Sequence, residues 1–232
     1  MTVEELIIQA AMEFGGYDAD AETGEEYARV LLPQWVYFFN NSLKQLLGTR
    51  PDTHVKFVKT FQLTANETRH ALPDDCVHFV NMTRNTGVAG ATPGEPIKGP
   101  KTIEDLGVLD SGWHSDTGVT VMEFFAFNKK APDVVWTYPR VHASTAVMVE
   151  IEYAYPFDEY LEDDISTDDI PVEAQFEQPL KMWMKKQAFE IDTDSLPDWN
   201  LSIRFEKSFY SSLGIEFQTG STIAPQKERG ND

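Results

Sequence analysis

The chain has 232 residues, 41% hydrophobic, 12% aromatic and 25% charged, a composition able to bury roughly 70% of the extended surface in one large domain or two small ones. Its 38 acidic side chains against 19 basic ones give a formal net charge of -19, which argues against gripping nucleic acid through phosphates, since that requires a basic footprint. The lone Cys76 excludes an internal disulfide framework and fits a reducing compartment, the opening MTVEELIIQAAMEF lacks a signal-peptide pattern, and no window approaches a membrane span.

Thr2 and Glu5 stand at capping-box spacing, and Leu6, Ala10 and Phe14 follow at helical intervals up to Gly15-Gly16, which predicts a short amphipathic helix. Tyr17 to Gly24 reads as an acidic loop. A second helix is expected from Glu25 or Pro33 to Leu47, with Val36, Phe39, Leu43 and Leu46 inward and Gly48 as its stop. Beyond Arg50-Pro51-Asp52 the period changes to two: Val55, Phe57, Phe61 and Leu63 alternate with polar residues as in a half-buried strand. Asn66 to Arg69 reads as a turn, His70 to Pro73 as a short return, and Val77, Phe79 and Met82 as a strand ending near Arg84. Thr86 to Pro100 is a Gly- and Pro-rich loop, long enough to be functional or mobile. Thr102 with Asp105 caps a single helical turn, and Leu109 to Gly118 is irregular.

Val121 to Phe127, Val134 to Tyr138 and Ala146 to Ala154 are three strands in succession, the first two joined by a turn at Lys129 to Asp133. In the last, Val147, Val149, Ile151 and Tyr153 alternate with Met148, Glu150 and Glu152, one apolar face and one wet face, which favours antiparallel pairing. No basic residue lies between Arg140 and Lys181. The chain closes with two helices spanning Pro171 to Gly214. The first carries Phe176, Leu180, Trp183, Met184 and Ala188 on one face, starts at Pro171 behind an Asp168-Asp169 cap, and is kinked or broken near Phe176 to Gln178 by Pro179. The second starts around Ser195 to Pro197, places Leu201, Phe205, Phe209 and Leu213 at steps of four, and ends at Gly214. The polar tail from Thr219 to Asp232 has no apolar period and is expected to be mobile.

Three constellations invite a chemical reading. Asp110-Ser111-Gly112-Trp113-His114 holds an acid, a hydroxyl and an imidazole, the parts of a small hydrolase using His114 with Ser111 or a nearby carboxylate, but no Gly-x-Ser-x-Gly elbow accompanies them. Cys76 and His78, with His70 nearby, lack the second ligand pair of a structural zinc site, so core packing is favoured. Asp158, Glu159, Glu162, Asp163, Asp164, Asp168 and Asp169 form a solvated acidic loop or an acidic functional surface. A calcium-binding tail module at Asp163 to Asp169 is the alternative, although the regular calcium loop is missing. No phosphate-binding glycine loop is present, and no cofactor is expected. Trp35, Phe38, Trp183, Trp199 and Phe209 sit at helical spacing, which usually means core, and some are expected to anchor a subunit interface.

The order of elements and several phrases resemble the head-to-tail adaptor, or connector, proteins of short-tailed phages. The pieces are Leu46-Leu47-Gly48-Thr49-Arg50-Pro51-Asp52, Ala71-Leu72-Pro73-Asp74-Asp75, Leu109-Asp110 with Trp113-His114, Val135-Trp136-Thr137-Tyr138-Pro139, Val149-Glu150-Ile151-Glu152-Tyr153, and Ile170-Pro171. They cover residues 25 to 214; Met1 to Gly24 fits only loosely, and the basic-free stretch matches no motif. The resemblance implies a non-enzymatic virion protein, made in the host cytoplasm, forming a dodecameric ring between portal and tail or nozzle protein. DNA passes through the ring without sequence-specific binding, and no membrane is involved. The expected fold is α+β: a helical bundle body from residues 1–52 and 170–214, an inserted antiparallel β module over 53–169, and a docking tail over 215–232. Within that tail Thr222, Ile223, Pro225, Lys227 and Arg229 are the expected portal contacts.

Overall fold

The structure, a computed structural model, describes residues 1–15, 17–18, 27, 29–87, 94–115, 117–191 and 196–215, with the side chains of 196–198 left aside. Among them are five α-helices and seven strands in an α+β fold. The chain divides into two compact units, one formed by Met1–Leu46 with Glu159–Asp232 and the other by Leu47–Asp158.

In the first unit, α1 (Val3–Phe14) starts on the expected box: the Glu5 N–H donates to Thr2 Oγ1 at 3.2 Å and the Thr2 N–H donates to Glu5 Oε2 at 3.0 Å. Its inner face of Val3, Leu6, Ile7 and Ala10 is fully buried. The second helix, α2 (Leu32–Thr49), has Pro33 in its first turn, where a missing N–H costs nothing, and continues one residue past Gly48. Gly48 is therefore not the stop. Helix α4 runs over Glu177–Ile191 after a short 3-10 turn at Ala174–Phe176, and α5 over Leu196–Ser212. The break expected near Phe176 to Gln178 falls between the 3-10 turn and α4, and Pro179 takes its place in the first turn of α4.

Asp168 and Asp169 do not cap α4. The Val3 N–H donates to the Asp168 carbonyl, the Glu4 N–H to the Ile165 carbonyl and the Ile170 N–H to the Met1 carbonyl, so this stretch satisfies backbone groups at the head of α1 instead. Trp183 meets Phe209 and Tyr210 while Phe189 stacks on Phe205, a descending pairing that makes α4 and α5 antiparallel. Helix α1 runs parallel to α4, with Gln9 and Glu13 at Lys181, Glu13 also at Lys185, and Phe14 against Phe189. Beyond the last helical residue, Ser212, the chain turns at Gly214, whose φ is 72°: its N–H reaches the Ser211 carbonyl and the Ile215 N–H closes on the Tyr210 carbonyl.

The second unit stacks two sheets. One has the order β1 (Val55–Gln62), β7 (Met148–Ala154), β3 (His78–Asn85), all antiparallel. The other has the order β2 (Arg69–Ala71), β6 (Val134–Tyr138), β5 (Phe124–Phe127), β4 (Lys98–Lys101), with β4 and β5 parallel and the remaining pairs antiparallel. The His70 segment is therefore not a return against β1; it is the edge of the second sheet. Residues from both sheets, among them Phe79, Met82, Phe125, Val135, Val149 and Ile151, share one core. Helix α3 (Ile103–Leu109), capped by Thr102 and Asp105 as expected, covers the opposite face of the second sheet through Leu106, with Trp113, Ala126 and Trp136.

The simple alternation of β1 fails at a bulge. Val58 pairs with Ile151 but Phe61 pairs with Val149, so an extra residue switches parity between them. Val58 packs on the core, and Phe57, expected inside, is 63% exposed. The wet face of β7 is also drier than its sequence implies, because β7 is the central strand. Glu150 is 7% exposed and accepts hydrogen bonds from Thr83 Oγ1 at 2.8 Å and Arg84 Nη2 at 3.0 Å, which hold its carboxyl below the usual range.

Candidate interaction surfaces

The acidic segment is held by its backbone while its charges point outward. Ile165 is 2% exposed, and Asn40 clamps Tyr160 from both sides, donating through Nδ2 to its carbonyl at 2.9 Å and accepting its N–H at 3.0 Å. Asp158, Glu159, Glu162, Asp163, Asp168 and Asp169 are exposed, and Asp164 is half-buried because its Oδ2 accepts the Leu161 N–H. Lys44 pairs with Glu159 at 2.6 Å and lowers its pKa, and the amino terminus of Met1 lies 3.7 Å from Asp169. No group of carboxylates, histidines or cysteine among the described residues is arranged to hold a metal ion, so the calcium reading finds no site there.

Three of the five aromatics expected at a subunit interface are core. Trp35, Phe38 and Phe209 are 0%, 2% and 0% exposed, with the Trp35 ring edge-on to both Phe14 and Phe38, and a side chain buried in its own chain cannot also supply a contact surface. Trp183 is half-buried against Phe209, while Trp199 presents 51% of its surface. The tail residues Thr222, Ile223, Pro225, Lys227 and Arg229 lie outside the described residues.

Two members of the hydrolase constellation are tied into the fold. His114 Nδ1 is hydrogen-bonded to Thr68 Oγ1 at 2.8 Å and its ring lies on Trp113, while Asp110 Oδ1 accepts the Gly112 N–H. Helix α3 ends just ahead of these residues, and His114 and Asp110 each hold a hydrogen bond to a different neighbour. Cys76 is equally unsuited to chemistry: burial, aided by the Asp75 charge, pushes its thiol up to about 11, so it is neither thiolate nucleophile nor ready ligand. His70 is a core group. The Thr64 N–H donates to Nδ1 at 3.0 Å, which leaves the proton on Nε2 to donate to Thr137 Oγ1 at 2.9 Å, and burial lowers its pKa to about 4.

Charge is divided unequally between the units. Residues 47–158 contain 14 acidic and 10 basic side chains, a net of -4, which leaves -15 for the remainder. Within the less acidic unit, Lys98 and Lys101 on β4 reach over the same Phe124 ring at 5.9 and 5.5 Å. Lys129 and Lys130, on the turn between β5 and β6, edge a hollow of about 350 Å³ shared with Thr102, Ile103 and Phe127. All four lysines are exposed, and none pairs with a carboxylate among the described residues. Sequence reasoning missed this surface because β4 and the β5–β6 turn lie far apart in the chain, and the parallel β4–β5 pairing is what makes the two strands neighbours.

No helix among the described residues is long and apolar enough to cross a membrane. No curated protein matches the chain at a significant level. The model of the SU10 adaptor protein family matches residues 1–228, spanning both units, and the chain therefore belongs to this family of phage head-to-tail adaptors and is a phage structural protein.

Proposed function

We propose that the chain is one subunit of a ring, expected to hold twelve copies, that joins portal to tail in the virion and surrounds the channel through which DNA leaves. The observation that carries this reading is the family match over residues 1–228, which takes in both units of the chain. Charge supports it. Duplex DNA carries about one negative charge per 1.7 Å of axis, so a wall built from subunits of net charge -19 would repel the duplex and keep it from sticking during passage. The carboxylates of Glu162, Asp163 and Asp168 suit such a wall, or a partner surface, because the segment carrying them is anchored while they remain in solvent.

In this reading the helical elements of residues 1–52 and 170–214 form the body of the ring, with Trp199 and Trp183 as its remaining aromatic contacts. The strands within Val134 to Ala154 project toward the tail-side or nozzle partner. The 215–232 tail docks on the portal through Thr222, Ile223, Pro225, Lys227 and Arg229. Native mass measurement of the purified chain, alone and mixed with portal protein, tests the proposal. A multi-subunit species in either sample supports it, and a monomer in both refutes it. Removal of Thr219 to Asp232 is expected to leave the chain folded and to weaken its capture by immobilised portal; unchanged capture refutes the docking role of the tail.

A further inference from the structure

We infer that the lysine-edged surface around β4 and the β5–β6 turn receives the Glu159–Asp169 segment of a second copy of the chain. This rests on the ring reading, since a closed ring requires two different, complementary surfaces on every subunit. The two surfaces fit each other in charge and in form. On one side Lys98, Lys101, Lys129 and Lys130 present four ammonium groups beside the Phe124 ring and the hollow at Ile103 and Phe127. Carboxylates stand beside these lysines as well: Glu95 and Glu123 share a second hollow with Lys98, and Asp105 is engaged in the cap of α3 and acted on by Lys101, whereas Glu104 is the one carboxylate among the residues that line the hollow edged by Lys129 and Lys130. On the other side, Glu162, Asp163 and Asp168 are exposed and form no ion pair among the described residues, and the adjacent Leu161 is 66% exposed.

The charge division favours this partner over a like-with-like contact. Two helical units of net charge -15 repel each other, whereas a contact from the acidic segment of one copy to the lysine cluster of the next places opposite charges together. Backbone anchoring of the acidic segment lowers the ordering cost of binding, because Ile165 and Tyr160 already hold it in place. The hollow, with Ile103 and Phe127 in its lining, offers a seat for an apolar side chain, and Leu161 is the exposed apolar residue next to Glu162.

The test uses the full chain, half of it nitrogen-15 labelled, mixed and treated with a carbodiimide that links amines to carboxylates in direct contact. Mass spectrometry of the peptides then separates links within one copy from links between copies. Links between copies that join Lys129 or Lys130 to Glu162, Asp163 or Asp168 are expected. Lys129→Glu with Lys130→Glu should weaken association by about tenfold or more, as should Asp163→Lys alone, and the combined variant should recover most of the loss. Oligomers that form without these links overturn this contact and leave the ring reading standing, whereas a chain that stays monomeric with and without portal removes both. Loss of duplex-DNA binding in the double lysine variant, with no link between copies, assigns the lysines to DNA and also overturns the inference.

Discussion

His70 makes the β unit sensitive to mild acid. Its ring is neutral in the fold, accepting the Thr64 N–H at Nδ1 and donating from Nε2 to Thr137, and protonation would place a charge where one hydrogen bond needs a lone pair. Burial lowers its pKa from 6.5 to about 4. Above pH 6.5 the ring is neutral in both folded and unfolded chains, so its contribution is fully present. Between pH 6.5 and 4 only the unfolded chain takes up the proton and stability falls; below 4 both do and the loss levels off. A difference of about 2.5 units at 1.36 kcal/mol each amounts to roughly 3 kcal/mol. His70→Gln removes the titration, at a fixed cost of about 1–3 kcal/mol for the acceptor lost to Thr64. Urea unfolding followed by tryptophan fluorescence from pH 7.5 to 4 should give a wild-type curve that falls about 3 kcal/mol further than the variant's. The shared acid response of the carboxylates cancels in that comparison. Parallel curves, or a His70 nitrogen-15 titration midpoint near the ordinary histidine value, would refute the reasoning.

Two further perturbations test the packing. Lys185 is 4% exposed and ion-paired to Glu13, with its ammonium 4.6 Å from the centre of the Phe205 ring. Burial raises the pKa of Glu13, but the hydrogen bond and charge of Lys185, joined by Lys181, outweigh it and bring the pKa below 4.5. That stabilisation is present above pH 4.5 and lost as pH falls through the lowered value. Glu13→Gln should cost about 2 kcal/mol in urea unfolding by leaving a buried ammonium without its counter-charge, and adding Lys185→Met should restore most of it. Gly118 faces the Val141 backbone so closely that an added methyl group would overlap the carbonyl, beside the bridge of Val119 to Val141. Gly118→Ala should cost more than about 1 kcal/mol, read as a lower urea midpoint with an unchanged slope.

The features legible in the sequence are those decided within a few residues. Both capping boxes, Thr2 with Glu5 and Thr102 with Asp105, form as their spacing requires, and the β5–β6 hairpin follows from its Lys129 to Asp133 turn. What spacing does not encode is long-range choice of partner. β7 follows β6 closely in the chain but pairs with β1 and β3, so three strands in succession belong to two sheets. The bulge in β1 was hidden because Val55, Phe57, Phe61 and Leu63 keep one parity in the chain while the strand changes parity between Val58 and Phe61. Helix α4 starts later than its sequence suggests, because Asp168, Asp169 and Pro171 carry the chemistry of a cap, yet the backbone at Ile165, Asp168 and Ile170 pairs with the head of α1. At the surfaces, the acidic segment was visible as composition. The lysine-bearing surface is not, since β4, which carries Lys98 and Lys101, becomes a neighbour of β5 only through their parallel pairing.

The division of the chain at Leu46 and Asp158 also sets an order of assembly during synthesis. The β unit is one uninterrupted run of sequence and can close as soon as it clears the ribosome. The helical unit is made from both ends of the chain, so α1 and α2 emerge first and wait for α4 and α5. At about 5–20 residues per second, the intervening residues 47–158 take roughly 6–20 s to be made. Throughout that interval Phe14 and Phe39, both buried in the finished chain, lack the rings of Phe189 and Tyr160 that they pack against. The growing chain therefore exposes its stickiest helices longest, which makes this stage the one where chaperone binding or premature association would act.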